Sequence, residues 1–378
     1  MRDRNSGIDV LRGVAILLVL EQHLLWWPFF KLVLDAPPLV IGILQYGWAG
    51  VDLFFVISAY LLTTNLLRHR GEANLVVLFY ARRALRILPL YWLLLLAGFG
   101  TRHWWLSSGG SESFWLWRNP LPLHHYLLFM QNWASSGRPG PGPEFFGPTW
   151  SLAAEEHFYF VLPLLLALLK PRQLGWFAAA LILASPFLRV AITEGAGPLA
   201  GAFWTIAHLD AFAWGVLIAL AGQFRPQLLT LASARFYGGW AAAIITSAIF
   251  LAPGARGTPL GVTLVALGGA LALLAAVRPL ELKSPPPDLL ARALAWCGKR
   301  CYSLYLFHFP IMGLTYVAAG GRNPLEETHA SATLVAISLV LVFAFADLSY
   351  RCVEKPLMAM ANRITPYARK TSPAGRNA

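Results

Sequence analysis

Long apolar segments recur along this chain and are separated by shorter polar or charged connections. A helix needs about 20 apolar residues to cross the hydrocarbon core of a bilayer. The pattern therefore predicts an all-α, polytopic transmembrane helical bundle of about ten helices, at residues 9–28, 46–66, 86–100, 150–169, 174–192, 201–222, 236–252, 260–277, 302–319 and 332–350. The apolar stretch 121–133 is too short to cross, so we expect it to lie at the interface or to re-enter against protein.

Composition supports a membrane protein. Of the 378 residues, 57% are hydrophobic and 13% are charged, against about 25% charged in an ordinary soluble protein. The net charge of +12 does not indicate nucleic-acid binding, because the cations cluster between apolar segments. With a cytoplasmic N-terminus, twenty-three of the thirty Lys and Arg residues fall on the cytoplasmic side. The positive-inside rule then predicts a multi-pass protein of the plasma (inner) membrane with both termini in the cytoplasm.

Residues 1–360 are predicted to form one transmembrane domain, followed by a basic, disordered tail at 361–378, with no second extracytoplasmic domain. The outer loop 101–149 is rich in tryptophan, which suits either carbohydrate binding or anchoring at the interface. The stretch 278–300 contains three consecutive prolines and is predicted to be a polar connector. The three cysteines fit neither a disulfide framework nor a zinc site, so no metal is predicted.

The first apolar segment contains Arg12 and His23. Ionisable groups at such depth are expensive and usually face a bundle interior or a wet cavity. Eleven residues place the two side chains on nearly the same helix face, roughly 16 Å apart along the axis. A neutral imidazole can remove a proton from a hydroxyl or carry an acyl group. Alternatively, His23 lies at the end of a helix and reaches interfacial water.

A basic run follows the second apolar segment. Arg82, Arg83 and Arg86 are helix neighbours and form a compact face of three guanidinium groups. Guanidinium groups bind phosphate with two parallel hydrogen bonds, so a nucleotide-bearing donor such as coenzyme A would fit this face. Ordinary positive-inside charge or lipid-headgroup binding would explain the same residues.

Further polar residues lie within or beside apolar segments. Glu155 lies near the start of one, where it could orient His23, receive a sugar hydroxyl or simply complement the helix dipole. The other candidates are predicted to bind substrate, although each could also be a satisfied interior polar residue; they are Asp52, Ser58, Trp150, Tyr159, Tyr305 and His308.

Six blocks of this sequence, taken in order, resemble the acyltransferase-3 family of integral membrane O-acyltransferases. They are GIDVLRGVAILLVLEQH, GWAGVDLFFVISAYLL, FYARRALRILP, TWSLAAEEHFYFVLP, YSLYLFHFPI and VEKP. The resemblance implies transfer of an acyl group, usually acetyl, from acyl-coenzyme A to a hydroxyl of a saccharide or glycoconjugate, with no tightly bound cofactor. It also implies that Arg12 and His23 match the family's first-span pair, with His23 catalytic. Arg82, Arg83 and Arg86 match the donor-binding arginines, and Glu155 matches the glutamate of the fourth block. Ala59 departs from the usual glycine, which could alter acyl selectivity.

We therefore expect acyl-coenzyme A to be held by the three arginines, with its thioester directed toward His23. His23 would either deprotonate the acceptor or carry the acyl group, while Arg12 and Glu155 position the reacting groups. A transporter or flippase for a lipid-linked saccharide is the alternative from another class. A glycosyltransferase that uses a polyprenyl-phosphate sugar is less well supported, because loop 29–45 contains Asp35 without a partner carboxylate.

Overall fold

A computed structural model describes residues 6–26, 44, 46–72, 74–138, 140–230, 234–251, 258–277, 288–320, 323 and 331–364. Three predicted parts of the chain lie outside the described residues: loop 29–45 except for residue 44, the proline-rich part of the connector at 278–287, and the end of the tail at 365–378. Within the described residues, the regular secondary structure is helical.

The long helices are α1 (Ser6–Leu20), α2 (Ala49–Arg68), α3 (Leu75–Ser107), α4 (Thr149–Leu168), α5 (Pro171–Ala196), α6 (Leu209–Phe224), α7 (Ala234–Leu251), α8 (Pro259–Val277), α9 (Leu289–Ala318), α10 (Ala332–Ser349) and α11 (Lys355–Ile364). Two π-helical segments, Glu21–Trp26 and Tyr350–Glu354, continue α1 and α10. The short helices Leu123–Leu127 and Pro198–Phe203 lie in connections, as do the 3₁₀ turns Trp133–Ser135, Glu144–Phe146, Thr205–His208 and Pro226–Thr230.

Each of the ten predicted apolar segments coincides with a long helix, so the predicted fold class is confirmed. Three predicted boundaries are wrong. Helix α3 includes both the arginine run and residues 101–107 of the predicted loop. Helix α9 begins at residue 289 within the predicted connector, because the Asp288 side chain caps it by accepting a hydrogen bond from the Ala291 amide at 2.7 Å. Helix α11 includes residues 361–364 of the predicted disordered tail.

The outer surface of the bundle is apolar. Seven helical segments in the described residues are long and apolar enough to cross a membrane: Ala49–Arg68, Leu75–Ser107, Thr149–Leu168, Pro171–Ala196, Thr205–Phe224, Pro259–Val277 and Ala332–Ile364. Large apolar side chains on several of them are exposed, among them Leu96, Phe160, Leu183, Phe187 and Val340. An apolar surface of this extent requires a nonpolar surrounding, which a bilayer provides.

Helices α1 and α2 lie at the centre of the bundle. Helix α1 packs against α2 and α9, and α2 also contacts α4, α6 and α8. Glycines allow the closest approaches: a Cβ atom on Gly298 would overlap the Asp9 carbonyl, and one on Gly13 would overlap the Leu294 carbonyl. Small residues permit such backbone contact between membrane helices. Helix α1, which carries Arg12 and His23, is thereby fixed against α9.

The loop between α3 and α4 packs on the protein. The Tyr91 hydroxyl donates to the Tyr126 carbonyl at 2.9 Å, which ties the short helix Leu123–Leu127 to α3. The predicted packing of residues 121–133 against protein is therefore correct for this part of the stretch. Trp115 and Trp117 are buried, so these two tryptophans are core residues instead of sugar platforms or interfacial anchors.

Candidate active site

A cavity of about 100 Å³ lies between α1, α2, α3, α4 and α9. We call it the arginine cavity, because Arg12, Arg83 and Arg86 line it. Its remaining wall includes Ser58, Ser151, Glu155, Tyr159, Cys301, Tyr302 and Tyr305. Three guanidinium groups around one small space provide a concentration of positive charge that suits an anionic ligand.

A chain of hydrogen bonds crosses the wall of the arginine cavity. The Tyr159 hydroxyl donates to Glu155 Oε2 at 2.6 Å, and it lies 2.7 Å from the Ser58 hydroxyl. Since the Tyr159 proton goes to Glu155, Ser58 is the donor to Tyr159. The Arg83 guanidinium lies 5.1 Å from the centre of the Tyr159 ring, within the range of a cation–π contact. These contacts hold Glu155 and Tyr159 beside the basic groups.

A second cavity, of about 140 Å³, adjoins the first and shares two lining residues with it, Val51 and Tyr305. We call it the histidine cavity, because His23 and His208 line it. Aromatic side chains and carboxylates complete its wall, including Trp48, Asp52, Glu144, Trp150, Phe203 and Phe309. Flat aromatic faces combined with hydrogen-bonding carboxylates are suited to a ligand with both apolar faces and hydroxyl groups.

Asp52 and His208 form a buried pair in the histidine cavity. Asp52 Oδ1 lies 2.8 Å from His208 Nδ1, and His208 Nε2 lies 3.1 Å from the Ala202 carbonyl. A carbonyl only accepts, so His208 Nε2 carries a proton, and the contact with Asp52 then requires a second shared proton. Asp52 Oδ2 is buried and has no hydrogen-bond partner among the described residues. This oxygen is an acceptor available to a ligand hydroxyl.

His23 contacts a second imidazole on α9. His23 Nδ1 lies 3.0 Å from His308 Nε2, and the ring planes are within 19° of parallel. Phe309 packs against the His23 ring with a centroid distance of 4.8 Å. The π-helical segment Glu21–Trp26 begins two residues before His23 and changes the helical register there.

The two cavities meet at Val51 and Tyr305, which line both. The Tyr305 hydroxyl lies 2.5 Å from Ser151 Oγ, and Ser151 in turn donates to the Pro148 carbonyl at 3.2 Å. Because Ser151 has one proton and gives it to Pro148, Tyr305 donates to Ser151. Tyr305 is thus held in place at the boundary between the basic space and the space that contains His23.

The structure separates the predicted site residues into groups. Arg12, Arg83, Arg86, Ser58, Glu155 and Tyr159 line the arginine cavity, whereas His23, Asp52 and Trp150 line the histidine cavity. Tyr305 lines both cavities. His308 lines neither cavity but contacts His23. Two expectations change: Arg82 does not line the arginine cavity, and Glu155 lies with the arginines instead of beside His23. Its position is set by α4, on which Glu155 and Tyr159 are one turn apart.

Sequence reasoning missed His208 and Glu144. His208 lies two residues before Asp210, which is fully buried in an ion pair with Arg189 at 2.7 Å. Glu144 belongs to the predicted outer loop 101–149, where only the tryptophans were singled out, yet it lines the histidine cavity and lies 3.6 Å from Arg118. A carboxylate between prolines and paired phenylalanines was the signal available for Glu144.

A basic cavity and a histidine-containing cavity thus adjoin each other inside an all-helical membrane bundle. Residues 5–351 match the sequence profile of the family described as an acyltransferase domain. The chain therefore belongs to this acyltransferase family, as its sequence blocks suggested. Membership implies an acyl donor, and the chain is a multi-pass integral membrane protein.

Curated relatives agree with the family assignment. The chain is 26% identical over 395 residues to peptidoglycan O-acetyltransferase YrhL of Bacillus subtilis, covering 94% of this chain and 55% of the relative. It is 27% identical to membrane-bound transacylase BcsY of Komagataeibacter xylinus, covering 99% and 88%. It is 25% identical to peptidoglycan O-acetyltransferase OatA of Listeria monocytogenes, covering 93% and 55%. The chain thus spans about half the length of two of these relatives. No solved structure matches the chain.

Proposed function

We propose that this protein is a membrane O-acyltransferase that moves an acyl group, most simply acetyl, from acyl-coenzyme A to a saccharide hydroxyl. The observation that carries the proposal is the pair of adjoining cavities with different chemistry. The arginine cavity provides three cations for an anionic donor, and the histidine cavity provides a base beside aromatic and carboxylate groups. Relatives named as peptidoglycan O-acetyltransferases support a polysaccharide acceptor.

The donor would enter from the cytoplasmic side. Arg83 and Arg86 lie near the start of a helix that follows Arg68 and Arg70, and the charge distribution of the whole chain favours a cytoplasmic position for this region. Charge-assisted bonds from guanidinium groups to the phosphates of coenzyme A would anchor the donor there. Its thioester would then reach the boundary at Val51 and Tyr305.

The acceptor would enter from the opposite side. Asp52 Oδ2 accepts a hydrogen bond from a sugar hydroxyl, and Trp48 and Trp150 supply aromatic faces beside the ring. His23 removes the proton from the hydroxyl that reacts. The oxygen attacks the thioester carbon, the C–S bond breaks, and the coenzyme A thiolate receives the proton. Tyr305 lines both cavities, and we assign its hydroxyl as the donor to the developing oxyanion. Its proton then turns from Ser151 to the oxyanion, while Ser151 turns its own proton from the Pro148 carbonyl to the Tyr305 oxygen.

The test uses the purified chain in lipid nanodiscs with [¹⁴C]acetyl-coenzyme A and chitotetraose as a soluble saccharide acceptor. We expect labelled sugar from wild type and a loss of about 10²- to 10⁴-fold in kcat for His23→Ala, with acetyl-coenzyme A binding retained. Undiminished transfer by His23→Ala would refute the role of His23. A wild-type protein that leaves acetyl-coenzyme A intact but moves a lipid-linked saccharide between leaflets would be a flippase, which was the alternative from the sequence.

A further inference from the structure

The contact between His23 and His308 fixes which nitrogen of each ring carries a proton. His308 is fully buried on α9. Its Nδ1 atom lies 2.6 Å from the Tyr305 carbonyl and 3.2 Å from the Leu304 carbonyl, and its Nε2 atom lies 3.0 Å from His23 Nδ1. The His308 ring therefore connects the backbone of α9 with the imidazole of His23.

The direction of each hydrogen bond follows from its partners. Carbonyl oxygens only accept, so His308 Nδ1 must be the donor. The Tyr305 and Phe309 rings that pack on His308 are uncharged. Among the described residues, its hydrogen-bond partners are two carbonyls and His23, and none is a carboxylate. Because an unpaired buried charge is expensive, His308 is neutral and its Nε2 atom has a lone pair. His23 Nδ1 must then donate to this lone pair.

We propose that His308 is a positioning residue that keeps the proton of neutral His23 on Nδ1 and therefore keeps the His23 lone pair on Nε2. The inference rests on the proposed function, in which His23 is the base. His23 Nε2 is then the atom that receives the acceptor proton: the O–H bond breaks, an N–H bond forms at Nε2, and Nδ1 continues to donate to His308. His308 thus orients the base without contacting either substrate.

This arrangement has a chemical advantage in a membrane. A base that is oriented by a third group is a common arrangement in enzymes. A carboxylate in that position would bring a permanent charge into an apolar interior, whereas the His308 ring transmits the preference of two backbone carbonyls to His23 without adding charge. The carbonyls belong to the helix that also carries Tyr305, so one helix supplies both the orientation of the base and the wall between the cavities.

Two substitutions at position 308 separate this role from a structural one. The side-chain amide of glutamine places its oxygen near the position of histidine Nε2, whereas the amide of asparagine reaches only the position of Nδ1. His308→Gln can therefore accept from His23, and His308→Asn can only bond the carbonyls of α9. We expect His308→Asn to lower kcat about 10- to 100-fold, as when partners that orient metal-bound histidines are removed, and His308→Gln to lower it less than about tenfold.

The Km values for acetyl-coenzyme A and chitotetraose should change little in either variant, because His308 lines neither cavity. If His308 only stabilised α9, asparagine would be the better replacement, so a His308→Asn variant as active as His308→Gln or more active overturns the inference. Wild-type activity in both variants also overturns it. Loss of transfer by wild type, or retention of turnover by His23→Ala, would instead refute the proposed function.

If either variant fails to assemble, a spectroscopic measurement on the wild-type protein shows which ring nitrogen of His23 carries the proton. In wild-type protein labelled with ¹⁵N-histidine, the signals that disappear in His23→Ala report the His23 ring nitrogens. The inference requires a protonated Nδ1 and an unprotonated Nε2 at neutral pH. A proton on Nε2 would overturn it, whatever the activity of the variants.

Discussion

The three arginines that sequence reasoning grouped together should differ in their effect on donor binding. Arg83 and Arg86 line the arginine cavity, whereas Arg82, on the same helix and with the same charge, does not. Replacing each in turn by glutamine makes the same change of charge and nearly the same change of size. The comparison therefore separates a specific donor site from the general positive charge of this region.

The expected magnitude follows from the contacts that each side chain can make. A hydrogen bond to a charged group contributes about 1.5–3 kcal/mol, and 1.4 kcal/mol corresponds to a tenfold change in affinity. Arg83→Gln and Arg86→Gln should therefore raise the Kd for acetyl-coenzyme A about 10- to 150-fold. Arg82→Gln should raise it less than about threefold, because Arg82 does not line the arginine cavity. Arg83→Lys should be intermediate, because lysine keeps the charge but loses the planar fork.

Equilibrium binding of [¹⁴C]acetyl-coenzyme A to the full chain measures Kd directly, which Km does not when chemistry is fast. The measurement is made in nanodiscs of phosphatidylcholine and again in nanodiscs containing phosphatidylglycerol. Equal weakening by all three glutamine variants, or weakening that appears only with the anionic lipid, would show that these arginines serve topology or lipid binding. The assignment of the arginine cavity to the donor would then be wrong.

Three further outcomes are expected. Tyr305→Phe should lower kcat about 10²- to 10³-fold, because it keeps the ring at the boundary but removes the proposed oxyanion donor; a change only in Km would contradict this role. Gly298→Ala should destabilise the protein by about 1–3 kcal/mol in thermal unfolding, because the added methyl group overlaps the Asp9 carbonyl, and an unchanged unfolding temperature would contradict the close contact. Asp210→Ala should cost about 3–5 kcal/mol by leaving Arg189 buried without its carboxylate, and a second substitution, Arg189→Met, should recover much of this loss; additive losses would argue against the pairing.

The helices could be predicted from sequence because a lipid-exposed surface demands apolar residues. A part of a helix that is not exposed to lipid does not require apolar residues. The polar beginning of α9 and the arginine-containing part of α3 therefore could not be recognised as helix from an apolar pattern. Helix capping by Asp288 and packing against neighbouring helices decide those boundaries instead.

The residues of the site could be selected from sequence, but their arrangement could not. Arg12 and His23 could be identified because ionisable groups inside an apolar helix are energetically costly and usually have a function. Their separation into two cavities depends on the packing of α1 against α2 and α9. The position of Glu155 beside the arginines, and the pairing of His208 with Asp52, are contacts between distant helices that no local spacing specifies.

The shared boundary of the two cavities at Val51 and Tyr305 has a consequence for the cell as well as for catalysis. A protein that joined its two substrates through a wide passage would also conduct protons and dissipate the electrochemical gradient across the membrane. Under the proposed mechanism only a group as small as acetyl has to pass these two side chains, while the bulky nucleotide and the sugar remain on opposite sides. Under this mechanism the Tyr305 ring, which lies beside the reacting groups, would also limit the leakage of protons across the membrane.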